Sequence, residues 1–180
     1  MKIEEIKILR GPNYWSVRRP KLIQMKLQLE DMEQRPTNSI DGFSERLQAM
    51  FPSMYGHRCS EGAPGGFFHR VDEGTWMGHV IEHIALELQT LAGMDTGFGR
   101  TRGTGEEGEY YVCSSYMEED AGVYAGKAAV RIAQALTDGT EYNLEEDIMN
   151  LREIREDTRL GPSTGCIVDE AAKEVFHTFV

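Results

Sequence analysis

Two histidines one helical turn apart, with a glutamate between them, form the group of residues in this sequence best suited to chemistry. The segment reads His79-Val80-Ile81-Glu82-His83. On an α-helix, His83 lies about 40° from His79 and Glu82 about 60° to the other side, so all three share one face. H-x-x-E-H is the inverzincin pattern, in which the histidines bind zinc and the glutamate acts as general base. The spacing therefore predicts a zinc-dependent hydrolytic centre with His79 and His83 as ligands and Glu82 as the catalytic base.

The same three residues are also compatible with a hydrogen-bonded cluster inside the core, or with contacts to a partner subunit. Buried imidazoles and carboxylates need polar partners whether or not a metal is present. Apolar residues surround the rest of this helix almost completely, which predicts a buried helix. These apolar residues are Trp76, Met77, Val80, Ile81, Ile84, Ala85, Leu86, Leu88 and Leu91.

Two further segments carry residues that could complete such a site. His57, Cys59 and Glu61 alternate along the chain, so on an extended backbone they project to one side and could supply a third metal ligand. The alternative is a turn in which the cysteine is only a small buried apolar residue. Arg100 and Arg102 lie in a glycine-rich stretch that we expect to be a flexible loop. These two arginines could bind a substrate carboxylate, or they could be ordinary surface charges.

The elements that must position these residues can be placed from hydrophobic periodicity. Alternating patterns predict strands near 3–9, 22–29 and 109–117, and helical patterns predict helices near 75–91 and 119–136. The predicted fold class is α+β, with a small, mostly antiparallel sheet packed against a buried central helix and further helices.

The composition narrows the possible partners and setting. The 180 residues carry 19 Lys and Arg against 30 Asp and Glu, for a formal charge of −11. Such a chain repels nucleic acid and anionic membranes and attracts cationic ligands. There is no apolar run long enough to span a bilayer and no signal-peptide core, and three widely spaced cysteines indicate reduced thiols. We therefore predict a cytoplasmic protein that binds neither nucleic acid nor membrane.

Several motifs together resemble the amino-terminal domain of the cyanophycin synthetase family. They surround the His79 to His83 group and extend over nearly the whole chain. They are RGPNYWS at 10–16, GGF at 65–67, GTWMGH at 74–79, ALELQ at 85–89, GFGRTR at 97–102 and LGPST at 160–164. By this resemblance, residues 1–160 are the first domain, and 161–180 are a linker and the start of an ATP-grasp domain.

The resemblance implies a role in the metabolism of a storage polymer. Family members are cytoplasmic ligases that polymerise Asp and Arg into cyanophycin, multi-L-arginyl-poly-L-aspartate, and full-length members form homo-oligomers, as tetramers. ATP and Mg²⁺ would bind only in the domains missing from this chain. The first domain holds the polymer, and in some members a metallopeptidase-like centre cuts polymer into primers. A non-catalytic polymer-binding domain or an oligomer-interface domain is the alternative.

The resemblance also bears on the third metal ligand. It implies an acidic residue at the position where this chain has Ser115. The remaining candidates are Glu119, Glu118, His57 and Cys59, and we predict Glu119 as the ligand that joins His79 and His83.

Overall fold

The computed structural model describes residues 1–9, 21–59 and 62–160. Four strands form one antiparallel sheet in the order β1-β2-β4-β3, with β1 at Lys2–Leu9, β2 at Leu22–Gln28, β3 at Gly99–Gly103 and β4 at Glu109–Ser115. Within the described residues, five α-helices accompany the sheet: α1 Phe43–Met50, α2 Gly66–Glu73, α3 Met77–Leu91, α4 Glu119–Asp138 and α5 Leu144–Leu160. The predicted α+β class is confirmed.

Strand β2 lies inside the sheet and carries the alternation expected from its sequence. Ile23, Met25 and Leu27 are at most 1% exposed, whereas the polar residues between them lie on the other, partly exposed face. This period of two residues is what a sheet with one covered face requires. Helices α3 and α4 cover the apolar face and pack against each other.

Glycines allow the helices to approach the sheet closely. A Cβ atom on Gly126 of α4 would lie 2.7 Å from the Met25 sulfur, and one on Gly78 of α3 would lie 3.0 Å from the Thr101 side chain. Both distances are shorter than ordinary van der Waals contact. Gly78 therefore allows α3 to lie close to β3, and Gly126 allows α4 to lie close to β2.

The central helix α3 is buried as predicted, with one exception at its start. Residues such as Ile81 and Ile84 are fully buried, and Glu82 is only 8% exposed. Trp76, which was expected in the buried face, is 43% exposed. It is the residue before the first helical turn and has an extended backbone, so its side chain is not directed by the helix.

The glycine-rich stretch around Arg100 is a strand rather than the expected flexible loop. Gly99–Gly103 forms edge strand β3 and pairs with β4, opposite the segment from Tyr110 to Ser114. Its composition lacks the apolar alternation of β2, and hydrogen bonding to β4 supplies its structure. Helix α2 was not predicted at all. Residues 10–20 and 161–180, which include the predicted linker, lie outside the described residues. In the described part of the chain, no helix is long and apolar enough to cross a membrane.

Candidate metal centre

Helix α3 brings the two predicted histidine ligands together. The Nε2 atoms of His79 and His83 are 3.1 Å apart, which confirms the expected proximity. The His83 ring stacks on the Phe67 ring of α2 with a centroid distance of 4.1 Å. The two imidazoles are therefore held edge to face, with one nitrogen of each directed to the same point.

Cys59 is the third residue at this point. Its Sγ atom is 3.2 Å from His79 Nε2, and one ligand atom from each of Cys59, His79 and His83 lies within 4.8 Å of the others. Among the described residues, these are the only three His, Cys, Asp or Glu side chains grouped in this way. Cys59 has a φ of +50°, an uncommon backbone conformation for a residue other than glycine. Such strain clusters at functional sites, where surrounding contacts hold it.

The three side chains fit a tetrahedral zinc ion. Bonds of about 2.0 Å to nitrogen and about 2.3 Å to sulfur place two nitrogens about 3.3 Å apart and nitrogen and sulfur about 3.5 Å apart. The corresponding distances here are 3.1 Å and 3.2 Å. Three protein ligands leave one coordination position open, which is the arrangement of a catalytic rather than a structural zinc site.

Burial keeps both histidines in their neutral form, which is the form that binds a metal. Burial, together with the nearby charge of Arg70, lowers the pKa of His79 to about 4. Burial, together with His79 and His57, lowers the pKa of His83 to about 2. Neutral imidazoles each present one nitrogen lone pair.

Glu82 lies beside the three candidate ligands but is held separately. The Thr101 hydroxyl on β3 donates to Glu82 Oε2 at 2.7 Å, and burial raises the pKa of this carboxyl group although the Thr101 hydrogen bond opposes the shift. A Cβ atom on Gly99 would lie 2.6 Å from the Glu82 side chain, so the absence of a side chain at Gly99 leaves room for the carboxylate. A raised pKa suits a group that must accept and then release a proton near neutral pH.

A second group of side chains contacts the other ring nitrogen of His83, Nδ1. His57 Nδ1 is 2.9 Å from His83 Nδ1, and His57 Nε2 is 2.8 Å from Glu87 Oε2. The Ser53 hydroxyl donates to the other Glu87 oxygen. Burial raises the pKa of Glu87, but hydrogen bonds from His57 and Ser53 outweigh this effect and place the pKa below its ordinary value. Glu87 is therefore ionised and accepts from both neighbours.

With a neutral His57, this chain of contacts fixes which nitrogen of His83 carries the proton. Because Glu87 accepts from His57 Nε2–H, the Nδ1 atom of a neutral His57 is an acceptor. His83 Nδ1–H must then donate to it, which leaves the lone pair on His83 Nε2, directed at His79 and Cys59. On the other histidine, Nδ1 of His79 lies 2.9 Å from the Thr75 hydroxyl. Partners of this kind orient the ligands of metal sites.

The structure does not bring the predicted acidic ligand to this point. Glu119 begins helix α4, preceded by Glu118, and neither belongs to the group of Cys59, His79 and His83. Ser115 is buried at the end of β4, where its hydroxyl accepts a hydrogen bond from the Phe98 amide. Cys59, one of the other candidates, is the residue that is grouped with His79 and His83 instead. The alternation of His57 and Cys59 was the sequence signal for it.

Two cavities reach the group of Cys59, His79 and His83. The larger, of about 690 Å³, is bordered by α3, the turn before Cys59 and the start of β3. The smaller, of about 330 Å³, contains Arg102, whereas Arg100 lines neither cavity, so of the two predicted substrate-binding arginines the structure places only Arg102 at the cleft. Both cavities share Cys59, His79 and Glu82.

Comparisons with known proteins confirm the family that the sequence motifs indicated. Residues 24–138 match the family described as "Cyanophycin synthase-like N-terminal domain". Cyanophycin synthetase of Trichormus variabilis is 54% identical over 176 residues, which cover 96% of this chain and 20% of that protein. Cyanophycin synthetase of Synechocystis sp. is 55% identical over 174 residues, covering 95% of this chain and 20% of that protein. The chain thus spans about one fifth of the length of these relatives. It belongs to the cyanophycin synthetase family and corresponds to the N-terminal domain of that family.

Proposed function

We propose that this domain holds the polymer cyanophycin and hydrolyses it to shorter chains at a zinc centre formed by His79, His83 and Cys59. The observation that carries the proposal is the convergence of these three ligand atoms beside Glu82, a buried carboxylate that is not itself part of the group. Zinc bound there would activate water and polarise the scissile carbonyl group.

The protein's own residues supply the remaining chemistry. Glu82 accepts a proton from the attacking water, for which its raised pKa makes it a stronger base, and then delivers that proton to the leaving nitrogen. Thr101 holds the carboxylate in place, and the Glu87–His57 pair holds His83. The two cavities give the substrate room to extend on both sides of the reacting bond.

The charge of the protein supports a polymer-holding role. A formal charge of −11 provides acidic side chains that can pair with the arginine side chains of cyanophycin. Holding without cutting is therefore the second candidate function. Ligation with ATP and Mg²⁺ would require the parts of the relatives that this chain does not cover. The homo-oligomer, a tetramer in full-length members, is a prediction that rests on the resemblance alone.

The length of the polymer after incubation tests the proposal. Purified protein is incubated with cyanophycin and zinc, and the products are sized by gel electrophoresis. We expect shorter chains with the wild type and none with Glu82→Gln or with chelated protein, while all three still bind polymer in a sedimentation assay. Glu153→Gln on the exposed surface of α5 is the matched control and should cut normally.

Each alternative outcome has a definite meaning. Polymer binding without cutting in any sample would refute the hydrolase and leave the binding role. Cutting by the chelated protein, or by Glu82→Gln at the wild-type rate, would refute the zinc centre as its source. ATP should have no effect in any sample.

A further inference from the structure

The smaller cavity has a charge that sets it apart from the rest of the protein. Arg70 of α2 and Arg102 of β3 both line it, and the only carboxylate among its described lining residues is Glu82. Glu82 is already hydrogen-bonded to Thr101. In a protein with a charge of −11, two arginines at one cavity of about 330 Å³ create a local site for an anion.

Both guanidinium groups are available to a ligand. In the described part of the chain, neither Arg70 nor Arg102 makes an ion pair or a side-chain hydrogen bond, and both side chains are exposed. Other arginines of this protein do have such partners: Arg131 pairs with Asp147, and Arg155 donates to the Ala92 carbonyl. Guanidinium groups bind carboxylates with two parallel hydrogen bonds, and they do so most strongly where no other acceptor competes.

An aromatic surface and the reacting centre border the same cavity. Trp76 lines it and is 43% exposed, so its ring can pack against a flat group such as an amide or a guanidinium. His79 and Glu82 also line this cavity. A ligand held here would therefore lie next to the bond that is cut.

We propose that the smaller cavity is a carboxylate-binding subsite, in which Arg70 and Arg102 hold a substrate carboxylate and Trp76 packs against the adjoining planar group. Its role in positioning substrate rests on the proposed hydrolytic function. The larger cavity offers no comparable pair, because Arg58 is the only arginine among its described lining residues and the carboxylates of Glu82 and Glu87 line it as well. The substrate therefore binds in one orientation, with its carboxylate-bearing side toward Arg70.

Fluorescence of Trp76 provides a direct binding assay that does not depend on catalysis. The protein has two tryptophans, so Trp15→Phe leaves Trp76 as the only one. The probes are N-acetyl-arginine and N-acetyl-argininamide, which share the guanidinium and differ in the carboxylate. We expect the free acid to change the fluorescence of the metal-free protein with a Kd at least about tenfold lower than that of the amide, as one charge-assisted bidentate contact predicts.

Substitutions of the arginines test whether Arg70 and Arg102 cause the preference for the acid. Arg70→Ala combined with Arg102→Ala should abolish this preference, and the two Lys replacements should keep part of it. Arg100→Ala removes the same charge from the same strand but from a side chain that lines neither cavity, so it should leave the preference intact. Circular dichroism and the thermal midpoint establish that each variant is folded.

The outcomes for the subsite and for the hydrolase are distinguishable. Equal binding of acid and amide by the folded wild type, or an unchanged preference in the double Ala variant, overturns the subsite even if the polymer is cut. A preference that depends on Arg70 and Arg102 supports the subsite even if polymer cutting fails, in which case only the hydrolase is refuted.

Discussion

Replacement of His57 by leucine tests whether the hydrogen bonds that reach His83 Nδ1 control metal binding. The substitution removes the acceptor at 2.9 Å from His83 Nδ1 and leaves Glu87 without its histidine partner. His83 must keep its proton on Nδ1 to present Nε2 to the metal, so in the variant this donor loses its partner in a buried position. Leaving one buried donor unpaired costs about 1–3 kcal/mol.

This cost converts directly into metal affinity. A loss of about 1–3 kcal/mol corresponds to a zinc Kd roughly 5- to 150-fold higher, in agreement with the roughly 10- to 100-fold effect of removing partners behind metal ligands. Zinc affinity is measured by competition with a chromophoric chelator. His69→Leu is the matched control because the His69 side chain is 59% exposed and lies outside the three-residue group; its affinity should equal that of the wild type.

Two further measurements separate positioning from ligation. With Co²⁺ in place of zinc, His57→Leu should retain the same visible absorption bands as the wild type, because the ligands are unchanged. His57→Asn, whose side-chain oxygen can accept from His83 Nδ1–H, should recover part of the affinity. An affinity of His57→Leu within twofold of the wild type, with the fold intact, would refute the tautomer argument.

Three more predictions follow from the geometry of the centre. Cys59→Ser should weaken zinc binding and abolish the cobalt–thiolate absorption near the ultraviolet, and a retained band would exclude Cys59 as a ligand. Gly99→Ala should displace the Glu82 carboxylate, so polymer cutting should fall at least about tenfold while zinc affinity, measured as above, stays unchanged. In the metal-free protein, the folded-state pKa values of His79 and His83, about 4 and about 2, lie below the ordinary value of 6.5, so the unfolded chain binds more protons at acid pH. The free energy of unfolding should therefore decrease as the pH falls from 7 to 4. A urea midpoint that is constant or rises over that range would contradict the assignment of both rings as buried and neutral.

The sequence by itself determined the parts of the structure that depend on local periodicity. The two-residue alternation in 22–29 identifies β2, and the apolar residues around His79 and His83 identify a buried helix. Both follow from sequence because the direction of side chains along a regular element depends on the geometry of that element alone. The 3.1 Å approach of the two histidine rings is a consequence of the same helical repeat. The α+β class was predictable for this reason.

Only the tertiary structure decided which residues complete the site. Cys59 and His57 reach the histidines across 20 and 26 residues, respectively. No local pattern could rank Cys59 above the acidic residues at the start of α4, since the choice depends on how the turn before Cys59 packs against α3. Strand β3 exists because β4 supplies its hydrogen bonds. Arg100 and Arg102 share one face of this strand, and only Arg102 borders the cleft. Helix α2 adds Arg70 opposite the edge strand, so the cationic cavity arises from two distant segments whose proximity is a property of the packed fold.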